Sequence, residues 1–529
     1  MRASVDRPIF FGTVADSDEV RLAEVLTALS LATDLGMGQP IENALRTALI
    51  AVRLGERLDC DAPTLSDIYY LALLLHLGCT AHAHEMAQWV GGDEIAYRAE
   101  GILFPSASLG YVMSNMVRLV GRDRPLPARA WLVAAMLTQG AGRFRQLAAI
   151  QCEGGAILAR RLQLGEGVAA GLLQALERWD GKGVPQQLKG DQLCLPIRIV
   201  QVAQDANIFE RMRGAERCMV EIKARRGDAY DPSVADALVE HLGDLLVQSS
   251  DEFDGSLALE AEPQPRRMVP ESGIDDLARV FADFTDLKSP FLSGHSTGVA
   301  RLAELAADAA GLSNVELLAV RRAGLLDDTG RLGVPNGIWD KPGALTSAQW
   351  ERVRLHPYYT ERILRGSGPL RALSELAGAH HERVDGAGYH RGSAGATLSQ
   401  GARLLAAADA YQAMTQPRPH RPALAPDAAA SELRLAVTAG RLDRRAATAV
   451  LEAAGHPPAT RGEYPAGLTE REVEVLALMC RGNTNKSIGL QLFVSDRTVG
   501  HHIAHIYNKI GFSTRAGATL FAMEHDLLS

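Results

Sequence analysis

His295, the pair Asp327-Asp328, His356, the pair His380-His381 and Asp409 are imidazoles and carboxylates at helical positions that would otherwise face a core. Side chains of these two kinds, converging from several helices, suit divalent metal ions. Two or more ions sharing the carboxylates can activate water and clamp a phosphate, which is the chemistry of metal-assisted phosphodiester hydrolysis. Arg331, Arg418 and Arg421 lie in the same stretch, and a guanidinium offers the forked donors that match phosphate oxygens. One histidine on an apolar helix face is ordinarily a packed core residue.

The elements that must position these groups read as helices. His295, Val299, Leu302 and Ala306 fall on one face at helical spacing. Thr346-Ser347-Ala348-Gln349 is a capping box that announces a helix carrying Trp350, Val353 and His356. No run alternates in the manner of a half-buried strand.

This metal-bearing stretch has a partner earlier in the chain. Glu177-Arg178-Trp179-Asp180-Gly181-Lys182-Gly183 matches Glu382-Arg383-Val384-Asp385-Gly386-Ala387-Gly388 at an offset of 205. Leu74-Leu75-His76-Leu77-Gly78 aligns with Leu326-Asp327-Asp328-Thr329-Gly330 at an offset of 252, so the first copy carries an insertion of 47 residues. Two matches in order point to duplication. At the ligand positions the first copy has Asn43 for His295, Leu75 and His76 for the aspartates, Ala175-Leu176 for the paired histidines and Gln204 for Asp409. Leu75, Ala175 and Leu176 cannot ligate anything. The first copy is therefore expected to be a pseudo-enzyme serving packing, dimerisation or ligand sensing.

HHERVDGAGYH and the following ARLLAAADAYQAMTQPRPHR make the second copy resemble the HD-GYP family, helical metal-dependent phosphohydrolases that cleave cyclic di-GMP. The resemblance covers about 190 residues. It implies metal ligation by His295, Asp327, Asp328, His356, His380, His381 and Asp409, with two or three sites for Mn, Fe or Zn. It also implies phosphate binding by Arg331, Arg418 and Arg421, and catalytic roles for Asp328 and Arg331. The chain departs from the family where the histidine of the name-giving dyad is Asp327, where the usual lysine is Arg331, where the tripeptide reads Gly388-Tyr389-His390, and at Phe291, where some members have glutamate. Aspartate still ligates a hard divalent ion, so the first change shifts metal preference.

The last 62 residues carry a second chemistry. Thr469-Glu470-Arg471-Glu472 is a capping box opening a helix with Val475, Leu476 and Met479 inward, stopped at Gly482. A second helix follows with Ile488 and Leu492. Ser495 can cap a third whose Val499, Ile503, Ile506 and Ile510 form one apolar seam, ended by Gly511; Ser513-Thr514 can cap a fourth running to about Leu528. Helix, short turn, helix is the geometry that seats a recognition helix in a DNA major groove. LTEREVEVLALMCRGNTNKSIGLQLFVSDRTVGHHIAHIYNKIGFSTRAGA resembles the LuxR-type helix-turn-helix nearly from end to end. The match places Thr498, Val499 and His502 on the recognition helix and implies backbone or base contacts from Asn485, Lys486, Arg497, Lys509 and Arg515; the exposed side of that helix offers Arg497, His501, His505 and Asn508, and Ser495 joins the DNA-binding set. A basic residue commonly follows the Thr-Val pair in that family; here it is Gly500. Six acids balance six bases across 467–528, so useful affinity is expected to need a dimer.

Across 529 residues, 47% hydrophobic and 22% charged are the proportions of a soluble globular protein, and a net charge of −8 confines any DNA contact to a local patch. Cysteines at 60, 79, 152, 194, 218 and 480 contain no CxxC pair, which excludes a zinc knuckle and fits a reducing compartment. The N-terminus is unlike a signal peptide, and the apolar run near Tyr69 is about half a membrane span. The expectation is a cytoplasmic all-α protein: two HD-domain-like bundles at 1–250 and 274–454, linkers at 251–273 and 455–466, and a four-helix LuxR-type module at 467–529. The function expected is a homodimeric transcriptional regulator. It would bind operator double-stranded DNA and sense cyclic di-GMP or another phosphorylated ligand, or its own metal state. The alternative is an active phosphodiesterase regulated by its C-terminal module.

Overall fold

The computed structural model describes residues 19–101, 117–122, 124–246, 255–457, 464–492, 494–525 and 527. They are helical apart from a two-stranded antiparallel ribbon, Glu19–Arg21 against Met268–Pro270, that pairs Val20 with Val269. The architecture is the all-α one expected. No described helix is long and apolar enough to cross a membrane.

The duplication is visible in how glycines are used. A Cβ on Gly78 would collide with the Gln151 carbonyl and Gly155, and a Cβ on Gly330 would collide with the His356 carbonyl and Thr360. Gly78 and Gly330 stand 252 apart, and Gln151 and His356 stand 205 apart. The same turn therefore lies against the same helix in both copies, and the 47 extra residues fall between Gly78 and Gln151. The described residues of that stretch include the helices Ala83–Val90 and Glu94–Gly101 and the N-terminal part of the 36-residue helix Leu126–Arg161. Gly183 and Gly388 repeat the correspondence, each without room for a Cβ against the Glu177-Arg178 or Glu382-Arg383 backbone.

The two copies share one hydrophobic core. Leu26, Leu29 and Phe209 of the first belong to the same buried cluster as Phe281, Phe284, Leu302 and Leu405 of the second. The helix Leu22–Gly36 packs on the turn Thr329–Gly333 and on the helix His356–Arg365, bringing Leu35 against Gly333 and Leu31 against Gly366. The described part of the expected linker, 255–273, takes part in this packing. It contains the helix Gly255–Glu260 and the second ribbon strand, and buried Glu262 accepts from Tyr70 and pairs with Arg21. The C-terminal module has a separate core of Val475, Leu476, Met479, Ile488, Val499 and Ile506.

Local signals set most helix starts. Thr346 and Thr469 both form full capping boxes, Ser495 accepts from Thr498 N at 3.1 Å, and Thr514 caps the last helix, Arg515–Glu524. One expectation needs correction. The helix begun at Thr346 ends at Arg354, and His356 opens a new helix, His356–Arg365. Pro357 explains the break, because it has no N–H and disfavours continuous helix through the residue before it.

Candidate metal centre and recognition helix

Helix ends and turns bring most of the ligand candidates together. His295 is the first residue of the helix His295–Ala309, entered through left-handed Gly294, and Asp327 ends the helix Asn314–Leu326. Asp328 leads into the turn Thr329–Gly333, His356 opens its helix, and His380-His381 follow the short helix Ser374–Gly378. Only Asp409 sits mid-helix, in Gln400–Thr415. All are buried except His381, which is half-buried.

The imidazoles are fixed in tautomer as well as position. His356 Nδ1 lies 2.6 Å from the Val353 carbonyl, and His380 Nδ1 lies 2.7 Å from the Ala377 carbonyl. A carbonyl only accepts, so each Nδ1 carries the proton and each Nε2 presents a lone pair. Those two Nε2 atoms face each other at 3.0 Å, and Asp328 Oδ1 is 3.5 Å from both. Three electron-rich atoms around one point need an electropositive centre among them. His381 is close enough to His356 and His380 for one ion to be shared by all three.

The carboxylates complete the donor set. Asp328 Oδ2 lies 3.1 Å from Arg331 and 3.4 Å from His295 Nε2; His295 Nε2 is in turn 3.2 Å from Asp409 Oδ1, and Asp409 Oδ2 is 3.5 Å from His381. Both oxygens of Asp327 and both of Asp328 are nevertheless buried without a well-formed hydrogen bond. Buried oxygens left this way are unfavourable unless something else binds them. Burial, with Asp328 and Asp409 nearby, pushes the Asp327 carboxyl well above the usual range. Burial acts upward on Asp328 too, but Arg331 and His295 override it and hold Asp328 well below. Burial works against a charged His295, yet the close approach of the Asp328 and Asp409 carboxylates raises it to about 9. Burial, then the neighbouring His381 and His380, hold His356 well below the usual imidazole range. Orphaned carboxylate oxygens beside converging imidazole lone pairs fit divalent ions. His295, Asp328, His356, His380, His381 and Asp409 would hold them, with Asp327 adjoining.

The three arginines part ways. The Arg331 guanidinium stacks on the Trp339 ring at 4.1 Å while pairing with Asp328. Arg418 donates to the Phe291 carbonyl and lies 3.3 Å from His295 Nδ1; burial, with Arg331 nearby, lowers it to about 10. Arg421 turns away, donating to the carbonyls of Ala413, Met414, Gln416 and Pro422, where it closes the end of the Gln400–Thr415 helix. Sequence reasoning missed Gln416, which holds His295 Nδ1 at 2.8 Å, and Trp339, whose ring also lies 5.3 Å from His356. It also missed Tyr389 as a wall, its ring 4.7 Å from His381. Gln416 lies within the recognised TQPRPHR run; nothing in the sequence marks Trp339.

On the helix Asp496–Ile510, the expected recognition helix, Arg497, His501, His505 and Asn508 are exposed, and Thr498 and His502 are half-buried. Asn485 and Lys486 are exposed at the start of the preceding helix, Asn485–Leu492. Ser495 is the cap, and Val499 is fully buried in the module core. Lys509 pairs with Glu472 at 2.7 Å and Arg515 donates to the Asn483 carbonyl at 2.8 Å. These four hold the module together, while the exposed groups form its polar face.

Comparison with known proteins agrees with both parts. The HD domain model matches residues 145–234 and 279–446, and the model of the luxR family of bacterial regulatory proteins matches residues 466–522. The chain is 32% identical over 416 residues to the 3'3'-cGAMP-specific phosphodiesterase 3 of Vibrio cholerae serotype O1, covering 77% of this chain and 89% of that protein. It is 34% identical over 137 residues to the cyclic di-GMP phosphodiesterase response regulator RpfG of Xanthomonas campestris, covering 26% of this chain and 36% of that one. The crystal structure of the cyclic GMP-AMP specific phosphodiesterase V-cGAP3 of V. cholerae superposes with a TM-score of 0.57 at 29% identity, covering 83% of this chain and 99% of that one.

Proposed function

The chain belongs to the HD-GYP family of HD-domain phosphodiesterases and ends in a LuxR-type domain, and from that premise we propose that it is a DNA-binding regulator carrying a metal-dependent cyclic-dinucleotide phosphohydrolase site. The observation that carries the hydrolytic half is the meeting of the His356 and His380 Nε2 atoms at 3.0 Å beside Asp328. Divalent ions there, Mn, Fe or Zn, would supply activation of water and neutralisation of phosphodiester charge. The protein's own groups do the rest. Val353 and Ala377 carbonyls set the imidazole tautomers, Trp339 holds the Arg331 fork, and Arg331 and Arg418 supply positive charge at the phosphate. The substrate class follows the relatives, which act on 3'3'-cGAMP and cyclic di-GMP.

In the DNA-binding half, Lys486, Arg497 and His501 would meet phosphates and base edges of operator DNA. Charge balance in the module calls for a homodimer. Asp327 favours a second reading, a metal-loaded sensor without turnover, because it puts a third carboxylate where the family has the histidine of its dyad. Assays of the metal-loaded full chain with 3'3'-cGAMP and cyclic di-GMP, with Asp328→Asn as the control, separate the two. Hydrolysis lost in the variant supports the enzyme; metal without hydrolysis assigns the region to sensing. If the full chain fails to shift its own promoter DNA at low salt, the regulator reading falls.

A further inference from the structure

The first copy keeps a cavity where the second has its metal centre. Its volume is about 410 Å³, and Leu75, His76, Gln151, Ala175, Leu176 and Gln204 all line it. At the two repeat offsets these are the counterparts of Asp327, Asp328, His356, His380, His381 and Asp409. No carboxylate survives among the six, so the cavity has lost the means to hold a divalent ion while keeping a volume in the range of small-molecule sites.

The remaining charges in the wall are almost all matched. Glu177 accepts from the backbone N–H groups of Gln186, Gln187 and Leu188. Arg178 pairs with Asp180, and Arg225 pairs with Asp205. Arg98 differs. It is 7% exposed, and among the described residues its donors reach only the carbonyls of Gly36 at 3.3 Å and Cys79 at 2.8 Å. No carboxylate among the described residues pairs with it. Glu94, one turn earlier on the same helix, is engaged by Lys288 at 3.4 Å. One carboxylate thus serves two buried basic groups, with burial and Arg98 lowering Lys288, and Arg98 is the one left without it, which is unfavourable unless an anion joins it.

Polar atoms beside Arg98 are also without partners. His76 Nδ1 and His82 Nδ1 are both buried and unbonded. Gln204 Nε2 lies 3.1 Å from His76 Nε2; the amide N–H donates there, which places the imidazole proton on Nδ1 and leaves a spare donor. Burial, reinforced by Arg98, lowers His76 to about 4 and His82 to about 3, so both rings are neutral near pH 7. Met37, Met86, Tyr97 and Phe144 add apolar wall.

We propose that this vestigial site is a metal-independent pocket for a small amphipathic organic monoanion, its head on Arg98 and His76 and its apolar body against Leu75, Leu176, Met86 and Phe144. One unmatched cation suits one anionic head and does not suit the two phosphates of a cyclic dinucleotide. The inference stands apart from the hydrolytic reading, because it uses none of the second copy's ligands.

The test is a titration of the full chain, in EDTA, with the fluorescent monoanion 8-anilinonaphthalene-1-sulfonate. Saturable binding to one site is expected. Octanoate and octyl phosphate, as carboxylate and phosphate heads, should displace the probe, with their order identifying the preferred head; octanol should not. Arg98→Met should weaken binding by about tenfold or more, the usual effect of losing a charged hydrogen-bond partner. Ala175→Phe, which fills the cavity and leaves Arg98 in place, should abolish it. Circular dichroism and Mn binding by the second copy report folding of each variant, and Ala175→Phe alone decides if Arg98→Met does not fold. The proposal is overturned by no saturable binding, by binding unchanged in Ala175→Phe, or by displacement as strong with octanol or 3'3'-cGAMP as with octanoate.

Discussion

Replacing Gly330 by alanine should disable the proposed metal centre without touching a proposed ligand. The new Cβ would lie 2.5 Å from Thr360 N, 2.9 Å from Thr360 Oγ1 and closer still to the His356 carbonyl, where ordinary contact begins at 3.4 Å. The helix His356–Arg365 must therefore retreat by roughly 1–1.5 Å. That retreat carries His356 Nε2 away from His380 Nε2, now 3.0 Å distant, and from Asp328 Oδ1, now 3.5 Å distant. Metal ligands tolerate displacements of only about 0.2 Å. A loss of about tenfold or more in Mn affinity is expected, the scale seen when ligand support is removed, with about 1–3 kcal/mol of stability lost to overpacking. Gly78→Ala is the internal control, because it drives the same collision with Gln151 and Gly155 in the first copy. It should lower the melting temperature and leave Mn affinity intact. Calorimetric Mn titration and thermal melts of both variants are the assay. A folded Gly330→Ala protein with wild-type Mn affinity, or an equal affinity loss in Gly78→Ala, would refute the reasoning.

Other perturbations test other parts of the structure. Gly500 has only Asn485 Nδ2 near its Cβ direction, at 3.9 Å, so Gly500→Lys fits; one added phosphate contact should tighten DNA binding and steepen the salt dependence by about 0.9 in log–log slope, read by fluorescence anisotropy at several salt concentrations. Burial raises the Asp34 carboxyl to about 8 despite the Ala44 and Asn43 backbone donors. The folded state then binds the proton more tightly than the unfolded chain, whose pKa is near 3.9. That contribution is whole below about pH 4 and is lost as pH rises towards 8, by up to about 1.4 kcal/mol per unit; urea melts should show the decline in the wild type and a flatter profile in Asp34→Asn. Glu94→Gln leaves buried Lys288 without its carboxylate and should destabilise the protein by about 3 kcal/mol, measured by denaturant unfolding.

The ligand series, the duplication and the capping boxes are legible in the sequence because each depends on residue type at short, fixed spacing. Thr469, Ser495 and Thr346 cap where their spacing predicts, and His295, Asp328, His356, His380 and Asp409 meet. What escapes is set by direction and by distant packing. Arg421 has the same sequence context as Arg418, yet its guanidinium folds back onto the helix end. The break at Leu355 follows from Pro357, which outweighs the upstream capping box. The union of the two copies into one core rests on contacts such as Leu35 with Gly333, for which sequence spacing carries no signal.

The central claim is that the cluster around Asp328 is a working metal centre. Its most direct test is the metal content and cyclic-dinucleotide turnover of the purified full chain and of Asp328→Asn, measured side by side. The account predicts at least stoichiometric Mn, Fe or Zn in the wild type, with hydrolysis of 3'3'-cGAMP or cyclic di-GMP, and the loss of both in the variant. A wild-type protein that takes up no added divalent ion, or a variant that hydrolyses as fast as the wild type, would contradict it.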